Sequence, residues 1–248
     1  MKLLTPDLAE VCGKHVGDGY FRQRTRNKGE IDISGHPEER DYYDKHVVPL
    51  FRRVFDIDLK ARMFSRGSYG FVIYHKRVRD IFEELGIPSG KKSVKITVPR
   101  IIFDSNNEKI YARFLRGFFD TDGHFGCRKS YGTASIFKRT HHHYPLIHLT
   151  TISPNLAKKM KFMIDFIGLD CFIFRSKSKL FNEADKYRVF LNGSKKILKW
   201  MRVVGTKNPV KLTRYLIWKR FGFCPTHTTL LEREKVLSGK LDINSVGL

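Results

Sequence analysis

Acidic residues are scarce in this chain: 25 Asp and Glu stand against 47 Lys and Arg, a formal net charge of +22 at pH 7. Self-repulsion on that scale works against a compact state, so the excess argues for a polyanionic partner rather than a need of the fold. Long apolar runs are also missing. No stretch of about 18 apolar residues is present, which excludes a helix built to cross a bilayer and removes membrane as the expected partner. The start, Met1-Lys2-Leu3-Leu4-Thr5-Pro6-Asp7, carries no extended apolar segment of the secretory kind. The expected location is therefore cytoplasmic, nucleoid-associated or organellar. Only 4 cysteines occur (Cys12, Cys127, Cys171 and Cys224), scattered in apolar or strand-like contexts. They exclude a disulfide framework and read as reduced core thiols. Cys224-Pro-Thr-His227 has no second ligand pair nearby, so a zinc site is not expected.

What is present is apolar bulk and a repeat. Hydrophobic residues make up 41% of the 248 positions and include 20 Phe, enough for a packed interior in one large domain or two fused halves. The stretch Leu115 to Phe125, LRGFFDTDGHF, has a degenerate copy at Val11 to Phe21, VCGKHVGDGYF. A shift of 104 positions superimposes Gly13 on Gly117, Asp18 on Asp122, Gly19 on Gly123 and Phe21 on Phe125. Each copy reads as an apolar helix stopping at Asp-Gly, followed at once by an aromatic strand.

The surrounding pattern repeats as well. Thr5-Pro6-Asp7 is a helix start with a hydroxyl cap and Pro in the first turn. Alternating strands are predicted at 20–26 and 30–34, a helix over 38–55, alternation again at 57–63, a strand at 69–74 and a helix over 75–85. A basic linker, 89–99, leads to a helix at 106–122, strands at 124–129 and 146–151, a helix at 154–167, strands at 171–178 and 187–191, and a helix at 194–204. A helical extension follows from Leu212, with a further helix near Thr229 to Leu237. The expectation is an α+β protein of two pseudo-symmetric αββαββα halves, divided as 1–100 and 101–248, with the motif helices packed at the centre.

Gly117 and Thr121 are four apart, as are Gly13 and Gly17, so each pair lies on one helix face. Such small residues let two backbones approach closely. The natural partner of each stripe is the other, which brings Asp18 and Asp122 side by side at two helix C-termini. Two carboxylates and two negative dipole ends repel. A hard divalent cation relieves this, and Mg²⁺ typically sits on one or two carboxylates plus substrate phosphate oxygens. Metal-assisted phosphodiester hydrolysis is the chemistry that follows. A calcium loop does not fit, because that alignment puts Phe118 at the first ligand and Lys129 at the twelfth. A simple Asp-Gly turn would explain one copy but not two in the same register.

The paired stretches resemble the signature of the LAGLIDADG homing endonucleases in their single-chain, two-motif form. Leu115, Gly117, Asp120, Asp122 and Gly123 match the named letters of the second motif. In the first, Val16 stands where the first acid would be, and Lys14 and His15 occupy positions that are usually apolar. The Gly-x-Pro-x-Gly-Lys-Lys stretch at 86–92 also resembles family sequences. The resemblance implies Asp18 and Asp122 as metal ligands, assisted by the carbonyls of Gly17 and Thr121, with Mg²⁺ as cofactor and Mn²⁺ as a substitute. It also implies basic groups near the scissile phosphates, for which Lys91, Lys92 and Lys207 are nominated.

The strands would form a saddle along DNA. Arg22, Arg24 and Arg26 share a face; so do Asp58, Lys60 and Arg62; so do Arg175, Lys177 and Lys179. With Lys28, Arg128, Lys129 and Arg188 they form the candidate DNA-binding set. A two-stranded ribbon fits the major groove, where Arg and Lys bond guanine edges. The expected activity is a monomeric, site-specific, double-strand DNA endonuclease acting at a long, pseudo-palindromic site. Met1 and the Ser-Val-Gly-Leu end favour a free-standing or intron-encoded enzyme. An RNA maturase bound to intron RNA and a non-cleaving DNA-binding regulator are the alternatives.

Overall fold

The computed structural model describes residues 4–25, 28–90, 94–128, 143–178 and 183–246. Helix α1 (Pro6–Asp18) starts where the Thr5 hydroxyl accepts from the Leu8 N–H at 3.1 Å. Strands β1 (Tyr20–Thr25) and β2 (Lys28–Gly35) follow. The chain then runs through α2 (Arg40–Tyr42), a π-helical turn (Tyr43–Val47) and α3 (Val48–Phe55). Strands β3 (Arg62–Met63) and β4 (Tyr69–Ile73) and helix α4 (Lys76–Glu84) complete the first half. After the short α5 (Arg100–Phe103), the order recurs. It comprises α6 (Glu108–Asp122), β5 (Gly123–Arg128), β6 (Tyr144–Thr151), α7 (Pro154–Phe166), β7 (Phe172–Ser176), β8 (Lys186–Asn192) and α8 (Ser194–Val203). Helices α9 (Pro209–Phe221) and α10 (Leu230–Leu237) form the extension, the latter opened by a Thr229/Glu232 capping box.

Each half holds one four-stranded antiparallel sheet, ordered β1-β2-β4-β3 and β5-β6-β8-β7. Period-2 alternation decides which side is covered. In the first sheet Phe21, Ile31, Ile33, Phe71 and Ile73 face the helices and are buried; in the second, Phe125, Ile147, Leu149, Val189 and Leu191 do so. Phe51, Phe55 and Phe82 close the first core, and Trp200 meets Phe119 edge-on at 5.5 Å in the second. Each fully buried ring of this kind contributes about 1.5–3 kcal/mol.

One predicted strand is largely absent. The alternation at 57–63 leaves only Arg62 and Met63 in a ladder. Arg52 on α3 donates to the Leu59 carbonyl at 3.0 Å and to Asp58 at 2.6 Å, which draws this segment onto the helix instead.

Helices α1 and α6 pack together along their glycines. A Cβ at Gly13 would lie 2.1 Å from the Phe114 carbonyl oxygen, and one at Gly117 would lie 2.1 Å from that of Glu10. These contacts exchange under the 104-residue shift, as a local two-fold axis requires. Gly17 and Thr121, equivalent to each other, meet on the axis, where a Cβ at Gly17 would collide with the Thr121 side chain. Both helices end in extended glycines, Gly19 at ψ 151° and Gly123 at ψ 159°, so each chain passes directly into a strand.

Candidate active site and nucleic-acid face

A Cβ at Gly17 would lie 3.6 Å from the Asp122 backbone nitrogen, so the ends of α1 and α6, which carry Asp18 (half-buried) and Asp122 (exposed), are adjacent. A lysine from the C-terminal extension reports their shared field. Lys211 on α9 is buried and donates to the Asp120 and Thr121 carbonyls in the last turn of α6, the latter at 2.8 Å. Burial lowers its ammonium pKa, while the charges of Asp120, Glu39, Asp18 and Asp122 oppose that shift. Both motif acids therefore act on a single cation.

Glu39, from the turn ahead of α2, belongs to the same neighbourhood. Burial raises its carboxyl pKa, and Asp18 and Asp120 add to this against Asn208, which donates to Glu39, and Lys211. The π-helical turn aims Tyr43 at the same region. Burial, followed by the charges of Asp18, Glu39 and Asp32, drives its phenol far above the ordinary range.

Beneath this surface lies a closed ionic cluster. Among the described residues, Glu10, His46 and Asp120 gather ligand-type atoms within 4.8 Å of one another. Lys14 occupies the middle of that group: its ammonium lies 3.5 Å from both Glu10 and Asp120, beside the Tyr42 ring and hydroxyl. Burial would raise Glu10, but the His46 hydrogen bond at 2.6 Å and the charges of Lys14, His46 and Arg113 hold it at about 2. An ammonium ion already balances this cluster, so it does not fit a metal. The carboxylates of Asp18 and Asp122 at the helix ends are donors of the kind a hard divalent cation takes.

Asp120 is the hub of this region. It accepts from the Tyr42 hydroxyl at 3.1 Å, from Thr206 and from the Lys207 backbone N–H at 3.2 Å. The Lys207 side chain itself is exposed. Lys91 and Lys92 lie outside the described residues. Gly90, just before them, donates to the Phe21 carbonyl at 2.7 Å and fixes the end of that segment against β1. Gly17 is buried on the two-fold axis, and the Thr121 carbonyl, nominated as a metal ligand, already accepts from Lys211.

The DNA-binding candidates divide by face. Arg22 and Arg62 stand on the open side of the first sheet, by their registers with Glu30 and Gly70. Lys28 and Lys60 are exposed nearby, and Arg24 lies on β1. Arg26, Lys129 and Lys179 fall outside the described residues, as does most of the His-rich segment. Arg128 and Arg188 stand on the open side of the second sheet. Arg128 lies over the Tyr144 ring, and Arg188 is in register with Thr150 and Phe174.

Arg175 is a correction. It alternates onto the side of Ile173 and Val189, opposite Tyr187, and is held by Asp185 at 2.6 Å. The open side of β7 carries Phe172 and Phe174 instead. Lys177 is exposed just past the end of β7. Sequence reasoning missed Arg66, Glu39, Asn208 and Lys211. Of these only Asn208 carried a signal, as a capping residue before Pro209, where its side chain accepts from Val210.

Residues 109–205 match the model of a LAGLIDADG-like domain. Two curated relatives are a glutamine–fructose-6-phosphate aminotransferase of Methanocaldococcus jannaschii, 28% identical over 124 residues, and a component of the A-type ATP synthase of Pyrococcus abyssi, 23% identical over 197 residues. The matches cover 50% and 79% of this chain but only 10% and 17% of those proteins. Among solved structures, the homing endonuclease I-DmoI in complex with DNA and Mn superposes with a TM-score of 0.54 at 14% identity over 81% of this chain and 96% of that one. A double mutant of I-SmaMI superposes with a TM-score of 0.56 at 12% identity over 99% of this chain and 98% of that one. Two four-stranded antiparallel sheets and these superpositions show that the chain shares the fold of I-DmoI and I-SmaMI, and its residues 109–205 resemble a LAGLIDADG-like domain.

Proposed function

We propose that this protein is a site-specific endonuclease that cuts both strands of duplex DNA in a divalent-cation-dependent reaction. The observation that carries the reading is the convergence of Asp18 and Asp122 at the ends of two glycine-packed helices, sensed together by Lys211. I-DmoI, whose fold this chain shares, was crystallised with its target DNA and with Mn, Mg or Ca. The two curated relatives are enzymes of unrelated name that share with this chain only a small segment. The match is confined to 10% and 17% of those proteins, so aminotransferase and ATP synthase chemistry are not carried over to this chain.

Asp18 and Asp122 would hold the cation, Mg²⁺ by preference, with the Gly17 carbonyl as a third donor. When bound, the ion supplies an activated water and stabilises the leaving oxygen. The chain's own residues prepare the site. Lys211 ties down the last carbonyls of α6, and Asp120 anchors the Lys207 backbone beside them. Net charge +22 draws the DNA, and phosphate contacts set its register. The active unit is a monomer, because one chain supplies both acids.

The test is incubation of the protein with supercoiled plasmid carrying the gene's own flanking sequence, in Mg²⁺ and in EDTA. Linear product in Mg²⁺ alone supports the proposal. Specific binding without cutting would favour a regulator, and selective binding of intron RNA would favour a maturase.

A further inference from the structure

The two sheets present different chemistry on their open sides. On the first, Arg22 faces Glu30, Asp32 is bound by Arg66 at 2.7 Å, and Arg62 stands exposed. On the second, an aromatic ladder crosses all four strands in register. His124 on β5 lies opposite His148 on β6, His148 opposite Phe190 on β8, and Phe190 opposite Phe172 on β7. The ring centroids are 4.9, 5.3 and 5.4 Å apart along this row. Phe174 joins it edge-on to Phe190 at 6.5 Å. The core residues Phe125, Ile147 and Val189 lie on the opposite side, so the ladder is not part of the interior. Phe172 and Phe174 are 49% and 50% exposed, a large apolar surface for a chain of this charge.

Three observations identify the occupant. Arg128, Lys186 and Arg188 lie on the same side by strand alternation, so the apolar row is framed by cations suited to phosphates. The His148 imidazole is uncharged at neutral pH, because burial and the Arg188 charge lower its pKa to about 4. Finally, His124 with His148 and Phe172 with Phe190 are stacked on one another, at 27° and 19° between planes. In each pair one ring face is covered by the other ring, which leaves less face for an unpaired base, while the apolar ring edges can pack against a methyl group.

We propose that the open face of the second sheet reads thymine in one half-site of the target duplex. The exposed edges of Phe172 and Phe174, backed by Phe190 and the His148/His124 pair, would contact thymine C5-methyl groups in the major groove. This rests on the duplex-DNA reading above. The second half-site is therefore selected by apolar contact, and the first by the charged groups around Arg22, Arg62 and Arg66.

The test starts from a randomised duplex library recovered by the full chain in Ca²⁺ and cut in Mg²⁺. Thymines of the recovered duplex are then replaced by deoxyuridine, one half-site at a time, which removes only the methyl. Each contacted thymine should cost about fourfold in affinity. The loss should be confined to the half-site whose base preferences change in F172S/F174S, and that variant should no longer distinguish thymine from uracil. Deoxyuridine tolerated in both half-sites, or base preferences unchanged in F172S/F174S, overturns the inference while leaving the nuclease reading intact. Failure to recover or cut any duplex overturns both. Preferential, Phe172-dependent capture of a single-stranded RNA library would assign the ladder to RNA instead.

Discussion

Lys14 lies 3.5 Å from Asp120 across the paired motif helices, and neither side chain is more than 1% exposed. The first motif thus supplies a cation where the second supplies its first acid, and Val16, the residue equivalent to Asp120, carries no charge. Removing one member of such a buried pair leaves the other uncompensated, typically at 3–5 kcal/mol. Lys14→Met should lose about that much stability in urea denaturation, because Glu10 and Asp120 would then repel across 4.8 Å or less. A loss below about 1 kcal/mol would show that His46, Arg113 and Arg116 already neutralise the cluster.

Gly13 and Gly117 tolerate no side chain. Ala at either position places a Cβ 2.1 Å from a backbone oxygen of the other helix, so the helices must separate. Overpacking of this kind costs about 1–3 kcal/mol. It should also reduce cleavage more steeply than stability, since it displaces both acids. Melting temperature and nicking rate measured on Gly13→Ala and Gly117→Ala check this, and their effects should be similar by the local symmetry.

Asp18→Asn and Asp122→Asn should abolish cleavage by at least about 100-fold, as expected of direct metal ligands. Stability should stay nearly level, because losing Asp18 relieves its repulsion of Glu39 and at the same time weakens its attraction to the Lys211 ammonium. Cleavage assays paired with thermal denaturation separate the two effects. Activity retained in either variant would remove that acid from the metal site.

The two lysines of the 207–211 segment should behave differently. Lys211→Met leaves two α6 carbonyls without their ammonium partner and should cost about 1–3 kcal/mol. Lys207→Ala removes an exposed side chain and should change stability by less than about 0.5 kcal/mol. Denaturation midpoints decide the first comparison. A fall in cleavage rate in Lys207→Ala alone would place its ammonium near the scissile phosphate.

Acid should weaken the fold in two stages. His124 and His148 have folded pKa values of about 4 against 6.5 for an ordinary imidazole. Above pH 6.5 both states are neutral, and these groups contribute no pH dependence. Between about 6.5 and 4 only the unfolded chain takes up their protons, so stability falls as pH falls. Glu10, at about 2 against 4.5, adds a second decline from about 4.5 toward 2, where only the unfolded carboxyl is protonated. Denaturation at stepped pH should show both stages, and His124→Gln/His148→Gln should flatten the first.

Local chemistry carried the parts of the structure set within a few residues. The Thr5 cap, the helices ending at Asp18 and Asp122, the strands that follow them and the small-residue stripe are all written into adjacent positions. Repetition at a fixed interval then implied a two-fold partner for each motif helix, and Gly13 and Gly117 meet that expectation. Where a distant group competed, local pattern failed. Arg52 draws 58–59 away from a strand that their alternation predicts.

Alternation along β7 defines two faces but does not say which is covered. That was settled only when Ile173 paired with buried Val189, which put Arg175 on the inner side and left Phe172 and Phe174 outside. The buried charge of Lys14, and the arrival of Lys211 from the C-terminal extension against the last turn of α6, likewise required the assembled fold. A sequence fixes what each residue can bond with. The partners of a buried charge, and the side of a strand that meets water, depend on segments far apart in the chain, and only their packing brings those together.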